Sequence, residues 1–255
     1  MKLFELVDEL RSNLLRDAST LKLGPPDHYW SDETLVKYIN EGQRRFARRT
    51  FCLADDVTPE VVQIALKPTV AIYQAHPSIL HVVSARHQDA LADLVYVSHP
   101  IVFSTVNPFT DTHDNWGTYS ANQGQLPLRY TTDEGLQVDD QHQIRICFNP
   151  TPGVTQVGKK VNLRVRRLPM NPFVSGKMNQ ASEIPEDWQL DTLEWAAYRC
   201  LRNWDLDAED RKKAKDHKDR FDEAVRECVH ELRLHQMFQP PVWAFGQGGF
   251  SYIHN

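Results

Sequence analysis

Eleven histidines are the first residues to test for chemistry, because imidazole is the commonest metal ligand. None falls in an H-E-x-x-H motif, and none pairs with cysteines at zinc spacing. His230 and His235 are five residues apart, which on a helix sets them on different faces. His76, His81, His87, His99, His113 and His142 fall in or beside predicted strands and loops, where surface or packing roles are expected. Neither a metal nor any other cofactor is expected. Cys52, Cys147, Cys200 and Cys228 are far apart with no C-x-x-C spacing, and read as reduced thiols used as small apolar residues.

Other catalytic patterns are equally sparse. The sequence holds no G-x-S-x-G elbow, Walker loop or G-x-G-x-x-G motif, and Gly246-Gln247-Gly248-Gly249 precedes no helix that could complete a phosphate site. The acid pairs Asp55-Asp56 and Asp139-Asp140 would serve a hydrolase only if folding set them across a cleft. Their composition reads instead as turns. One basic cluster, Arg44, Arg45, Arg48 and Arg49, could touch nucleic-acid phosphates. The competing reading pairs Glu41 with Arg45 at i,i+4 and leaves the others solvated or against an acidic neighbour or another subunit. The second is preferred, since no aromatic or further basic segment accompanies the cluster.

These residues need a scaffold, and 255 residues with 41% apolar composition can bury one substantial core or two small ones. The net charge of −5 is mild and interspersed, which argues against a DNA-wrapping or membrane-surface protein. The first twenty residues carry acids and no cleavage site, so no signal peptide is expected. No apolar run reaches the roughly 20 residues of a bilayer span. A soluble protein made in the cytoplasm is the expectation.

Leu3, Phe4, Val7, Leu10 and Leu14 predict a first amphipathic helix over residues 2–17, stopped by Gly24, Pro25 and Pro26. Ser31 is a good N-cap for a second helix with Asp32 and Glu33 in its first turn and Leu35, Tyr38, Ile39 and Phe46 as its stripe, ending near Arg49. From Val61 the β-branched stretches 61–66, 69–75, 79–87 and 90–98 predict strands, as do 126–132, 135–140, 143–149 and 160–168. Between them, Ser104 to Gln125 is a long polar interruption. Without crossover helices the strands predict an antiparallel barrel or sandwich.

Pro185 suits the first position of a third helix, with Leu190, Leu193, Ala197, Leu201 and Trp204 on one face. A fourth helix over 208–237, about 45 Å long at 1.5 Å per residue, carries Ala214, Phe221, Val225, Cys228 and Leu232. Its charged first half is expected to project beyond the core. The fold class expected is α+β: a bundle from 1–56 and 181–237, an inserted β module at 57–180 and an extended arm at 238–255. After Arg233 no Asp, Glu, Lys or Arg occurs, and Phe238, Trp243, Phe245, Phe250 and Tyr252 fill a Pro-broken, Gly-rich tail. Such aromatics need a surface, either on the same domain or in a partner's groove.

The stretch Tyr29-Trp30-Ser31-Asp32-Glu33-Thr34-Leu35-Val36-Lys37-Tyr38-Ile39-Asn40-Glu41, continuing to Arg44-Arg45-Phe46-Ala47-Arg48-Arg49-Thr50, resembles the W-S-D-E-x-L-x-x-Y-[IL]-N-[ED] segment of tailed-phage head-to-tail adaptors, especially those of short-tailed phages. The order of elements is similar too, with a strand-rich middle and an Ile184-Pro185 lead into closing helices. The resemblance implies a non-enzymatic virion protein of the neck: a dodecameric ring on the portal protein, continued by tail or nozzle proteins. Genomic DNA would pass through it without sequence-specific contact. It also implies an arm that holds the portal, a role that falls to Phe238, Trp243, Phe245, Phe250 and Tyr252 by position and character. Subunit or DNA contact falls to Arg44, Arg45, Arg48 and Arg49.

Two other classes stand beside this reading. A polysaccharide hydrolase would use acids around Ser104 to Gln125 and needs two carboxylates at catalytic separation with one raised pKa. A sugar- or receptor-binding module would stack Trp116 and Tyr119 on its ligand and fold the tail back.

Overall fold

The computed structural model describes residues 1–16, 30–97, 126–133, 143–202 and 208–237. Helix α1 runs Leu3–Glu9 and passes into a wider π-helical turn, Leu10–Leu15, that ends at Arg16 in a left-handed conformation. Leu3, Val7 and Leu10 are buried as the periodicity predicts, and Leu6 is buried with them, but Phe4 is 46% exposed. Leu3 already fills the inner face one residue earlier, and Phe4 turns away from it. Backbone bonds from Leu3 to Gln180 and from Phe4 to Met178, and the Met1 amine on Gln189 Oε1, pin this end to the second half of the chain.

Helix α2, Asp32–Thr50, starts where its sequence says: the Ser31 hydroxyl accepts from the Thr34 amide at 3.3 Å. Arg11, from the turn after α1, donates to the Trp30 carbonyl and to Asp32 at 2.6 Å, tying the two helices at that cap. A four-residue helix, α3 (Pro59–Val62), replaces the first residues of the strand expected at 61–66. Pro59 sets the first helical φ, and Val61 and Val62 are buried from a helix instead of a pleat.

Among the described residues there are eight strands in chain order: β1 (Ala54–Asp55), β2 (Gln63–Ala65), β3 (Ile72–Gln74), β4 (Ile79–His87), β5 (Val95–Tyr96), β6 (Arg129–Thr132), β7 (Arg145–Asn149) and β8 (Lys160–Arg167). They make two four-stranded sheets. In one, β8 pairs antiparallel with β1, β2 and β4; the other has the order β3-β7-β6-β5. Among the described residues neither closes into a barrel, and β5 pairs parallel with β6, which departs from the all-antiparallel expectation. One apolar cluster draws on both sheets, with Ile79, Val82, Val161, Leu163 and Val165 from the first and Tyr73, Tyr130, Ile146 and Phe148 from the second. The alternation of β8 puts Val161, Leu163 and Val165 inside.

Pro185 caps a short 3₁₀ turn, Glu186–Trp188, before helix α4 (Gln189–Arg202) begins, so the proline stands several residues ahead of the α-helical start expected for it. Leu190, assigned to the inner face, is 47% exposed; Leu193, Ala196, Ala197 and Cys200 carry that face. Helix α5 spans Ala208–Met237 as predicted. Its charged first half does not project clear of the core. Ala214 is buried, and His217 meets Glu194 of α4 at 2.5 Å with both side chains nearly covered. A charged segment can dock through a narrow small-residue seam while its charges stay in water. Helices from both ends of the chain share two apolar clusters: α1, α2 and α4 in one, and α2, α4 and α5 around Phe46, Trp195 and Phe221 in the other. Burying a side chain such as Phe46 stabilises by roughly 1.5–3 kcal/mol.

An ionic link ties β1 and β8 to the segment that leads into α4. Arg167, at the end of β8, bonds Asp55 at 2.6 Å and Glu183 at 2.5 Å, and Glu183 also accepts from the amides of Met170 and Asn171. Burial works against the Asp55 charge, but the Thr58 and Val57 amides and Arg167 outweigh it and hold its pKa down at about 2.

Candidate functional site

Helix α2 turns its core stripe inward through Leu35, Ile39 and Phe46, which leaves Lys37, Arg44, Arg45, Arg48 and Arg49 exposed. The helix lies unusually close to α4. A Cβ added at Gly42 would stand 2.5 Å from the Thr192 carbonyl oxygen, so only glycine fits that crossing. Just beyond it, the Arg45 guanidinium stacks 4.0 Å from the centroid of the Trp195 ring. Arg49 forms an ion pair with Asp222 of α5 and sits 5.9 Å from the Phe221 ring centroid.

Contrary to the expectation from their i,i+4 spacing, Glu41 does not pair with Arg45 along its own helix. It bonds Arg199 of α4 at 2.6 Å, and Arg199 also lies over the Tyr38 ring. The interhelical partner wins because Trp195 offers Arg45 a ring face and leaves Glu41 open to α4. The result is a groove of about 390 Å³ lined by Glu41, Arg44, Arg45, Arg48 and Arg49. Arg45 and Arg49 are held by aromatic and acidic neighbours within the chain. Arg44 and Arg48, one helical turn apart, are exposed with no ion-pair partner among the described residues. This surface can bind acidic groups through two free guanidinium forks.

The other candidate chemistry resolves into structure. Among the described residues no group of three or more His, Cys, Asp and Glu could hold a metal ion. His87 is fully buried and burial lowers its pKa; His76 bonds Ser78. None of the four cysteines is in a disulfide, Cys147, Cys200 and Cys228 are buried, and burial pushes Cys147 and Cys228 up to about 12. Asp55 accepts from the amides of Val57 and Thr58, the geometry of a turn, and Asp56 pairs with Arg164. Among the described residues no helix is long and apolar enough to cross a membrane.

Phe238, Trp243, Phe245, Phe250 and Tyr252 lie outside the described residues, as do Ser104 to Gln125, Trp116, Tyr119 and Asp139-Asp140. Sequence reasoning missed Trp195, Asp222 and Arg199, the residues that decide which arginines stay free. Their signal is present only as aromatic and charged positions on other helices, more than a hundred residues away.

A family model described as SU10 adaptor protein matches residues 1–242. No curated protein matches the chain.

Proposed function

The chain belongs to the SU10 adaptor protein family, and from that membership we propose that it occupies the neck of a tailed-phage virion, between portal and tail. It is a phage adaptor, a structural virion component and not an enzyme. The observation that carries the reading is the extent of the match: residues 1–242 take in both pairs of terminal helices and every described strand.

In this reading residues 1–56 and 181–237 form the body that meets neighbouring copies, 57–180 form the β module, and 238–255 form an arm. Identical copies close a dodecameric ring templated by the portal, because repeated heterologous contacts close only when the rotation is right. Genomic DNA passes through the ring, and tail or nozzle proteins continue it below. Phe238, Trp243, Phe245, Phe250 and Tyr252 dock in a portal groove as anchors, since a charge-free aromatic segment needs a surface to bury it. The matched residues end at 242, so the docking role of Trp243, Phe245, Phe250 and Tyr252 rests on their aromatic character.

Co-sedimentation with portal rings tests this, comparing the intact chain with one ending at Gln239. The intact chain is expected to pellet with the portal and the shortened one to stay in the supernatant. Equal binding removes the docking role from the arm; no binding by either removes the portal as partner.

A further inference from the structure

Helix α5 carries acids on two flanks, the second of which begins at Arg220, itself paired with Glu194. Asp222 faces α2 through its ion pair with Arg49, and Lys218 lies 4.0 Å from the same carboxylate. At about 100° per residue, Asp222 and Glu227 project about 140° apart, so Glu227 falls on the other flank. Glu223 and Glu231 stand one turn to either side of Glu227, and all three are exposed. Asp191 of α4 joins that flank: burial, then the charges of Glu194 and Glu227, raise its pKa. Glu194 is relieved by His217 and Arg220, whereas Asp191, Glu223, Glu227 and Glu231 have no ion-pair partner among the described residues.

The helical body therefore carries two unsatisfied surfaces of opposite sign. One is the α2 groove with Arg44 and Arg48 free; the other is the α4–α5 edge with four unpaired acids. We infer that they are the two halves of one contact, in which Arg44 and Arg48 of each copy meet Asp191, Glu227 and Glu231 of the next. The inference rests on the ring reading above and assigns its interface. A second copy fits better than DNA for two reasons. Glu41 and Asp222 lie among the arginines and oppose a phosphate backbone, and the acidic complement is built into the same molecule. Two different surfaces meeting head to tail are what a closed ring requires.

Opposite charge reversals test it. In one variant Arg44→Glu and Arg48→Glu are combined; in the other, Glu227→Lys and Glu231→Lys. All four positions are exposed, and circular dichroism checks that each variant folds as the wild type does. Loading onto portal rings is read by sedimentation at low salt. Each variant alone is expected to load about tenfold less than wild type, because like charges then face each other. An equimolar mixture is expected to recover loading, since alternating copies restore every contact. Wild-type loading by either variant alone, or no recovery in the mixture, overturns the interface and leaves the adaptor reading intact. Wild-type protein that neither loads nor self-associates overturns both. Duplex oligonucleotide binding that is lost in the arginine variant and unchanged in the glutamate variant replaces the second copy with DNA as occupant.

Discussion

Arg45 on α2 and Trp195 on α4 are stacked, guanidinium carbon to ring centroid 4.0 Å. The contact joins residues 150 positions apart and fixes Arg45, which lines the arginine groove. Trp195 is buried, and its ring also meets Phe221 and Tyr198.

Trp195→Ala removes a ring shared by three helices and is expected to cost about 3–5 kcal/mol. Arg45→Ala removes an exposed cation from its face and is expected to cost about 0.5–1 kcal/mol. Arg45→Lys falls between them and wild type, because an ammonium does not stack as a planar fork does. Urea unfolding of the singles and the double gives the coupling between the two residues. A coupling of zero would mean the stack contributes nothing.

Gly42→Ala reads the helix crossing. On an isolated helix the change would stabilise by up to about 1 kcal/mol. Here the new Cβ meets the Thr192 carbonyl at 2.5 Å, so the helices must separate and a net loss of about 1–3 kcal/mol is expected. A stabilised variant, judged by its urea midpoint, would show that α2 and α4 lie farther apart.

Acid stability reports the Asp55–Arg167 link. The folded-state pKa of Asp55, about 2, lies below its ordinary value near 4, so the folded state binds fewer protons across that range. The stabilisation is complete above pH 4 and is lost as pH falls through 2, amounting to about 2 kcal/mol. Glu183 is shifted in the same direction: burial opposes its charge, and Arg167 and the Asn171 and Met170 amides prevail. Asp55→Asn is expected to be less stable at pH 7 and to flatten the pH dependence between 4 and 2. An unchanged slope in urea titrations across that range would remove Asp55 from the link.

Much of the fold was readable because it depends on neighbours in the chain. The Ser31 cap, the α2 stripe, the alternation of β8 and the full span of α5 follow from side-chain periodicity and capping, which operate within a few residues. The short helix at Pro59 was missed because Val61 and Val62 suit a strand as well as they suit the end of a helix. The parallel β5–β6 pairing was missed because strand direction is set by where the chain returns.

By itself the sequence determined the spans of α2 and α5 and the alternation of β8, that four arginines share the outer half of α2, and, through the Tyr29 to Thr50 stretch, the adaptor resemblance. Only the tertiary structure decided which of those arginines are available. Arg45 and Arg49 are taken by Trp195, Phe221 and Asp222, while Glu41 leaves its own helix for Arg199. Spacing along a helix says which side chains can meet within it. A guanidinium goes instead to the strongest partner in reach, and that partner is brought there by the packing of α4 and α5.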